Sequence, residues 1–248
     1  MLGAVHLTGT LVNTAAVVAG TAVGVLLGDR LPERIRETVI HTLGLFVCAL
    51  GVFQAAQAFT GPLSVFSRGS ALVVLLSLLV GGVIGELIRI DDGLTRLGEA
   101  LRRRFQRGGD DDGGRFVEGF VVASLVFCVG PLTVLGSIQD GLNGDSQLLL
   151  IKSVLDGFAA LAFSAALGWG VGFAALTVLV YQGALSLAAG LGAGAFSPAM
   201  ISSMTAVGGI MVLAIGLRLL ELKTIRAANL LPALILAPAT VAIMQSLR

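Results

Sequence analysis

Apolar runs of about twenty residues recur along this chain between short polar stretches, and their spacing predicts eight membrane-crossing helices. They fall near residues 8–28, 39–59, 69–88, 116–136, 148–168, 170–192, 199–217 and 227–246. A helix rises about 1.5 Å per residue, so each run is long enough to cross roughly 30 Å of hydrocarbon. The pattern predicts an all-α fold, a polytopic transmembrane bundle.

One stretch departs from the pattern. Residues 116–157 read FVEGFVVASLVFCVGPLTVLGSIQDGLNGDSQLLLIKSVLDG, an apolar helix interrupted by Gly130 and Pro131 and followed by a second helix that carries charge. Proline at 131 has no N–H and its ring crowds the carbonyl of Phe127. A helix here must kink or stop, and the freed backbone groups need partners in the protein or in a wet cavity. Lys152 and Asp156 are four residues apart on the next helix, so they share a face and can pair. Charges inside a span are costly and, as a rule, face the bundle interior. Gln139 and Asp140 follow the interruption, with two readings open: an outer hairpin turn in the turn-rich QDGLNGD, or part of a polar path. Asp145 and Ser146 read as the N-cap of the helix after it.

Other spans contribute polar groups. Asn13 in span 1 fits a helix-to-helix hydrogen bond or a place in the path, and Gln182 in the middle of span 6 needs a partner, for which span 5 is the nearest candidate. The candidate path residues are therefore Asn13, Gln139, Asp140, Lys152, Asp156 and Gln182. Span 8, NLLPALILAPATVAIM, carries Pro232 and Pro238 and reads as a second broken helix. Glu86, at the edge of span 3, is expected to pair with an arginine.

Small residues recur as well. Gly20, Gly24 and Gly28 line one stripe of span 1, and such stripes let membrane helices approach closely. They fit packing within the chain or a homo-oligomer. Sliding the chain by 164 to 165 residues sets Gly20, Gly24 and Gly28 on Ala184, Ala188 and Gly192, sets Gly44 and Gly51 on Gly209 and Gly216, and sets FVCALG (46–51) on MVLAIG (211–216). Spans 1–3 would then repeat as spans 6–8, and a shift of five spans reverses their direction. Inverted repeats with broken helices are a recurring build of secondary transporters. A competing register that pairs spans 4 and 8 remains open.

Between spans 3 and 4, residues 92–107 form an amphipathic pattern, with Leu94, Leu97, Leu101 and Phe105 on one side and arginines around them. Such a helix lies along an anionic leaflet. GGDDDGG, 108–114, reads as a flexible linker. The expected organisation is a first membrane bundle over 1–91, a cytoplasmic helix and linker over 92–115, and a second bundle over 116–248.

Composition and charge narrow the class further. Hydrophobic residues make up 56% of the chain and charged ones 12%, a balance foreign to soluble domains. Thirteen of the sixteen lysines and arginines lie in the stretches 30–36, 89–115 and 218–226, which an eight-span arrangement places on one side. By the positive-inside tendency that side is the cytoplasm, with both termini outside. The N-terminus lacks a basic signal region, so span 1 is expected to remain in the mature protein. A net charge of +1 without a basic, aromatic-laced patch argues against nucleic acid. Cys48 and Cys128 both lie in apolar runs and make neither a disulfide framework nor a zinc site. HExxH, GxSxG, Walker A and GxGxxG motifs are missing, so no enzyme, cofactor or metal is expected.

Several strings carry a resemblance. GTLVN near the N-terminus, VGPLTVLGSIQDGLNGD (129–145), IKSVLDGFAALAFSAALGWGVGF (151–173), YQGAL (181–185) and VGGIMVLAIGLRLLELKTIRAANLLPAL (207–234) resemble the YdfK and YqgA type of bacterial integral membrane protein. The resemblance covers nearly the whole chain. It implies a multi-pass protein of the bacterial inner membrane, of a type sometimes labelled a transporter, with no catalytic residues to carry over. Together these readings lead to the expectation of a transporter or channel for a small solute or ion in the lipid bilayer. The alternative is a non-transporting scaffold or regulator that docks through the amphipathic helix.

Overall fold

The structure, a computed structural model, describes residues 6–28, 32–60, 62–63, 69–105, 113–129, 131–191 and 197–246. Its helices in chain order are α1 (Thr8–Gly28), α2 (Glu33–Ala55), the short α3 (Gln57–Thr60), α4 (Gly69–Ile88), α5 (Ile90–Phe105), α6 (Gly113–Cys128), α7 (Pro131–Asn143), α8 (Gln147–Leu167), α9 (Gly170–Leu191), α10 (Pro198–Leu219), a 3-10 turn (Ala227–Leu230) and α11 (Ala233–Ser246). Among the described residues seven segments are long and apolar enough to cross a membrane, or eight if the bent pair α6–α7 is one span. The protein is a helical membrane protein.

The helices are apolar outside, and α8 turns its polar residues beyond the first turn inward. On α8, Ile151, Val154, Leu155 and Phe158 are exposed, whereas Lys152, Ser153, Asp156 and Ala160 are buried. Apolar surface on this scale would drive aggregation in water and is at home against lipid. Helix ends follow local chemistry. Ser197 accepts the Met200 N–H and so caps α10 ahead of Pro198. Gly168, at φ 78°, stops α8 in the two-residue link to α9, where Trp169 is exposed.

The chain forms two compact units, one of Met1–Leu43, Thr95–Cys128 and Leu132–Ala195, the other of Gly44–Leu94, Val129–Pro131 and Phe196–Arg248. Each draws on chain from both sides of the segment 92–115.

In the first unit α1 and α8 run parallel with almost no room between them. A Cβ added at Gly20 would run into the Gly157 carbonyl, one at Gly24 into Ser164 Oγ, and one at Gly28 would lie 2.8 Å from Ala165 Cα. Ser164 donates its hydroxyl to the Thr21 carbonyl at 3.2 Å, sealing the contact. The glycine stripe of span 1 is therefore spent on α8. Its counterpart on span 6 behaves differently: Ala184 and Ala188 are exposed, and Gly192 lies outside the described residues.

Helices α6 and α7 form a bent pair in this unit. α6 starts against Gly170 and the Phe173 ring, 5.4 Å from that of Phe116, and runs parallel to α9, with Ser124 and Thr177 sharing a 3.0 Å hydrogen bond. After a 63° bend between Gly114–Cys128 and Leu132–Gly141, α7 ends at the opposite end of the unit, beside Gly9 and Ser186. Gly130 lies outside the described residues, and Pro131 is the first residue of α7. Thr133 donates its hydroxyl to the Phe127 carbonyl at 3.2 Å, the group that a proline at 131 cannot serve. Helix α7 then runs on through Asn143, so residues 139–143 are helical and the turn shrinks to 144–146, with Gly144 at φ 69°. The stretch that read as a turn is thus mostly helix.

Two more boundaries shift. The amphipathic helix is α5, starting at Ile90; Gly113 and Gly114 already belong to α6, and 106–112 lie outside the described residues. Gly98 of α5 faces Phe120 and Val117 of α6.

In the second unit α2 and α10 pack antiparallel, glycine on glycine. A Cβ on Gly51 would sit 2.8 Å from the Gly209 carbonyl oxygen and one on Gly209 2.7 Å from that of Gly51. Gly216 approaches Cys48 and the Gly44 carbonyl, and Gly44 approaches Leu220, in the same way. α4 lies against the 3-10 turn and α11, with Gly81 on Ala233 and Gly85 on the Asn229 carbonyl. The expected break in span 8 needs correction. Pro232 falls in the turn just before α11, but Pro238 lies inside α11, which continues to Ser246. A proline removes one hydrogen bond, and a helix packed along its length can tolerate that loss.

Candidate functional site

The polar residues of the first unit meet near the middle of α8. Asp156 is nine residues into this 21-residue helix, roughly 14 Å from its start. Lys152, one turn earlier, donates its ammonium to Asp156 Oδ2, and both residues are buried, at 6% and 8% exposure. An ion pair so deep in an apolar segment needs further hydrogen bonds to offset its desolvation. Asn13 of α1 supplies one. Its side-chain Nδ2 donates to Asp156 Oδ2 at 2.9 Å and to Gln182 Oε1 of α9 at 3.3 Å. One amide thus ties α1, α8 and α9 together, at a place reached only because the glycines of α1 bring its backbone onto α8.

Asp140 meets α1 one helical turn before Asn13. It is fully buried on α7, and its Oδ2 accepts the Gly9 N–H at 3.1 Å. Gly9 is in the first turn of α1, where backbone N–H groups have no partner within the helix, so the carboxylate closes the positive end of α1 from across the bundle. Asp140 is therefore no loop residue. Gln139, its neighbour, is half-buried and makes no hydrogen bond to this cluster among the described residues. The cap of α8 also differs from expectation: Asp145 Oδ1 accepts the Gln147 N–H at 3.1 Å, and Ser146 occupies the cap position without a side-chain hydrogen bond.

Of the six candidate path residues the structure brings Asn13, Lys152, Asp156 and Gln182 into one hydrogen-bonded group and sets Asp140 one turn away. The residues around them had drawn less notice. Thr10, Ser137 and Ser186 are each fully buried, and their hydroxyls have no hydrogen-bond partner among the described residues. The same holds for Asn13 Oδ1, Asp140 Oδ1 and Gln182 Nε2. Thr10 and Asn13 share a face of α1, Ser137 and Asp140 a face of α7, and Gln182 and Ser186 a face of α9. The contacts of Gly9 with Asp140 and of Gly141 with Ser186 bring the ends of these faces together.

The second unit holds a different polar group. Glu86 of α4 accepts from Arg226 and, at 2.6 Å, from Asn229 Nδ2, while Asn229 Oδ1 accepts the Asp91 N–H at 2.7 Å. The carboxylate and guanidinium are both more than half exposed, which fits a structural clasp at helix ends.

A model of the family described as a protein of unknown function, DUF554, matches residues 8–242. The chain belongs to the DUF554 family. All of the cluster lies within the matched region. Two relatives of this DUF554 chain agree: the uncharacterized protein YqgA of Escherichia coli strain K12 is 31% identical over 92% of this chain and 94% of its own. The uncharacterized membrane protein YdfK of Bacillus subtilis strain 168 is 28% identical over 96% of this chain and 97% of its own. No solved structure matches this DUF554 chain.

Proposed function

We propose that this chain is a transporter or channel for a small solute or ion, with its path beside the broken span α6–α7. The observation that carries the reading is the Lys152–Asp156 pair, buried at the middle of α8 and joined by Asn13 and Gln182. Buried charges in a membrane segment are costly, and their usual use is a substrate or ion pathway. Asp140 follows the 63° bend between α6 and α7, and membranes tolerate interrupted helices only inside protein or against a wet cavity. The path runs among α1, α7, α8 and α9. In this reading the chain moves a solute and does not transform it.

The antiparallel contact of α2 and α10 supports an inverted repeat. Under a shift of 165 residues the contact of Gly51 with Leu213 becomes that of Gly216 with Cys48, and the contact of Gly209 with Ala55 becomes that of Gly44 with Leu220, all four of which occur. Sequence similarity and contact geometry share one register here. The proposed setting is a bacterial inner membrane with both termini outside, by the grouping of cations at 30–36, 89–115 and 218–226.

Reconstituted protein tests the reading. Flux of small ions and solutes into proteoliposomes is expected from the natural chain and lost in Lys152→Met and Asp156→Asn; full flux from both variants would remove the assignment.

A second reading, a membrane scaffold or regulator, has α5 in its favour, whose Arg96, Glu99, Arg103 and Arg104 line an open depression. Deleting residues 92–107 separates the two, since a scaffold then loses its partner while flux persists in a transporter.

A further inference from the structure

The unpartnered atoms of the first unit have a chemical bias. Thr21 Oγ1 is set about two turns beyond Asn13 on α1. Of the others, on the helices joined by the Gly9–Asp140, Asn13–Gln182 and Gly141–Ser186 contacts, five are oxygens: Thr10 Oγ1, Asn13 Oδ1, Ser137 Oγ, Asp140 Oδ1 and Ser186 Oγ, with Gln182 Nε2 the one nitrogen. Every residue in this set is fully buried, at 0% exposure. Neutral and carboxylate oxygens together are the ligand set of a hard cation. We propose that these oxygens form a binding site for a monovalent hard cation, for which sodium is the probe, between α1, α7 and α9, with Lys152 as its internal competitor. The inference rests on reading this cluster as the functional site.

Charge selects the ion class. The cluster holds two carboxyl groups, Asp140 and Asp156, against one ammonium, Lys152. The positive end of α1 offsets part of Asp140, because Asp140 Oδ2 accepts the Gly9 N–H. What is left is less than one negative charge, which suits a monovalent cation and leaves a divalent one uncompensated. Among the described residues Asp140 Oδ1 has no partner, while Oδ2 stays on Gly9. Lys152, held on Asp156 one turn of α1 away, repels a cation at this position. Sodium and the ammonium thereby oppose each other within one turn, and loading of the site weakens the hold of Lys152 on the cluster.

The test is sodium binding by the purified full chain in detergent, read as thermal unfolding in sodium chloride against choline chloride at equal ionic strength. The natural chain is expected to show a saturable rise in unfolding temperature with sodium. Asp140→Asn is expected to abolish it, and Ser137→Ala and Thr10→Val to weaken binding several-fold with every charge kept. Lys152→Met should tighten sodium binding by roughly tenfold or more, the scale of removing one nearby like charge. Equal response to choline, no response in the natural chain, full response in Asp140→Asn, or weaker binding in Lys152→Met would each overturn the site. If Asp140→Asn does not fold, unchanged sodium binding in both hydroxyl variants overturns it as well. Sodium binding without any flux in proteoliposomes upholds the site and removes the transport reading. Flux indifferent to sodium, with no sodium binding, does the reverse.

Discussion

Asn13, in the first helix, donates its side-chain amide to Asp156, 143 residues later, at 2.9 Å. The two helices approach this closely because Gly20, Gly24 and Gly28 place no α1 side chain against α8 in the turns that follow. Packing of α1 on α8 and the polar centre are thus one feature, and substitutions at either are expected to disturb the other.

Asn13→Leu removes the bonds to Asp156 and Gln182 and leaves Gln182 Oε1 buried without that donor. A loss of about 1–3 kcal/mol of stability is expected, the usual cost of an unsatisfied buried polar group. Unfolding in detergent micelles measures it, and unchanged stability would show the amide to be idle.

For the ion pair, a double-mutant cycle is informative. Each of Lys152→Met and Asp156→Leu strands the opposite charge, at a cost of about 3–5 kcal/mol, while the double variant leaves none. The double variant is expected to be more stable than either single one, yet inactive in flux.

Gly20→Leu drives a side chain into the Gly157 carbonyl, whereas a Cβ on Gly183 meets nothing within 4 Å. The first is expected to prevent assembly of the first unit and Gly183→Ala to leave it intact, as read by folded yield and unfolding temperature.

Much of this was legible in the residues, for reasons that differ from helix to helix. Lys152 and Asp156 were readable as a pair because four-residue spacing fixes their meeting within one helix. The break before Thr133 was readable because proline acts locally. Partners such as Asn13 and Gln182 are 169 residues apart, and only packing brings them together. Thr10 and Ser137 gave no signal, because hydroxyls in membrane helices commonly bond their own backbone, as Thr14 does to the Thr10 carbonyl and Ser153 to that of Leu149. Asp140 lay among turn-forming residues, yet its contact with Gly9 comes with a helix there that local propensity does not favour. Pro238 misled in the other direction, since α11 runs through it.

Thr133→Val takes the hydroxyl from the Phe127 carbonyl at the bend. A loss of about 0.5–1.5 kcal/mol is expected, and Thr133→Ser should restore it. Equal stability of the valine and serine variants would mean that the bend does not depend on this bond.

Glu86→Gln removes a charge that is more than half exposed, with Arg226 equally so. Its effect is expected within about 1 kcal/mol. A larger loss in thermal unfolding would place Glu86 beside Asp156 in importance.

Cysteine accessibility in proteoliposomes asks whether water reaches the buried polar centre. With Cys48 and Cys128 replaced by alanine, cysteine is placed at Gln182, inside the cluster, or at Val180, which is 64% exposed on the outward face of α9. A charged, membrane-impermeant methanethiosulfonate is expected to modify position 182 and to spare position 180. No reaction at position 182 would mean that the polar centre is dry, and would contradict a path through it.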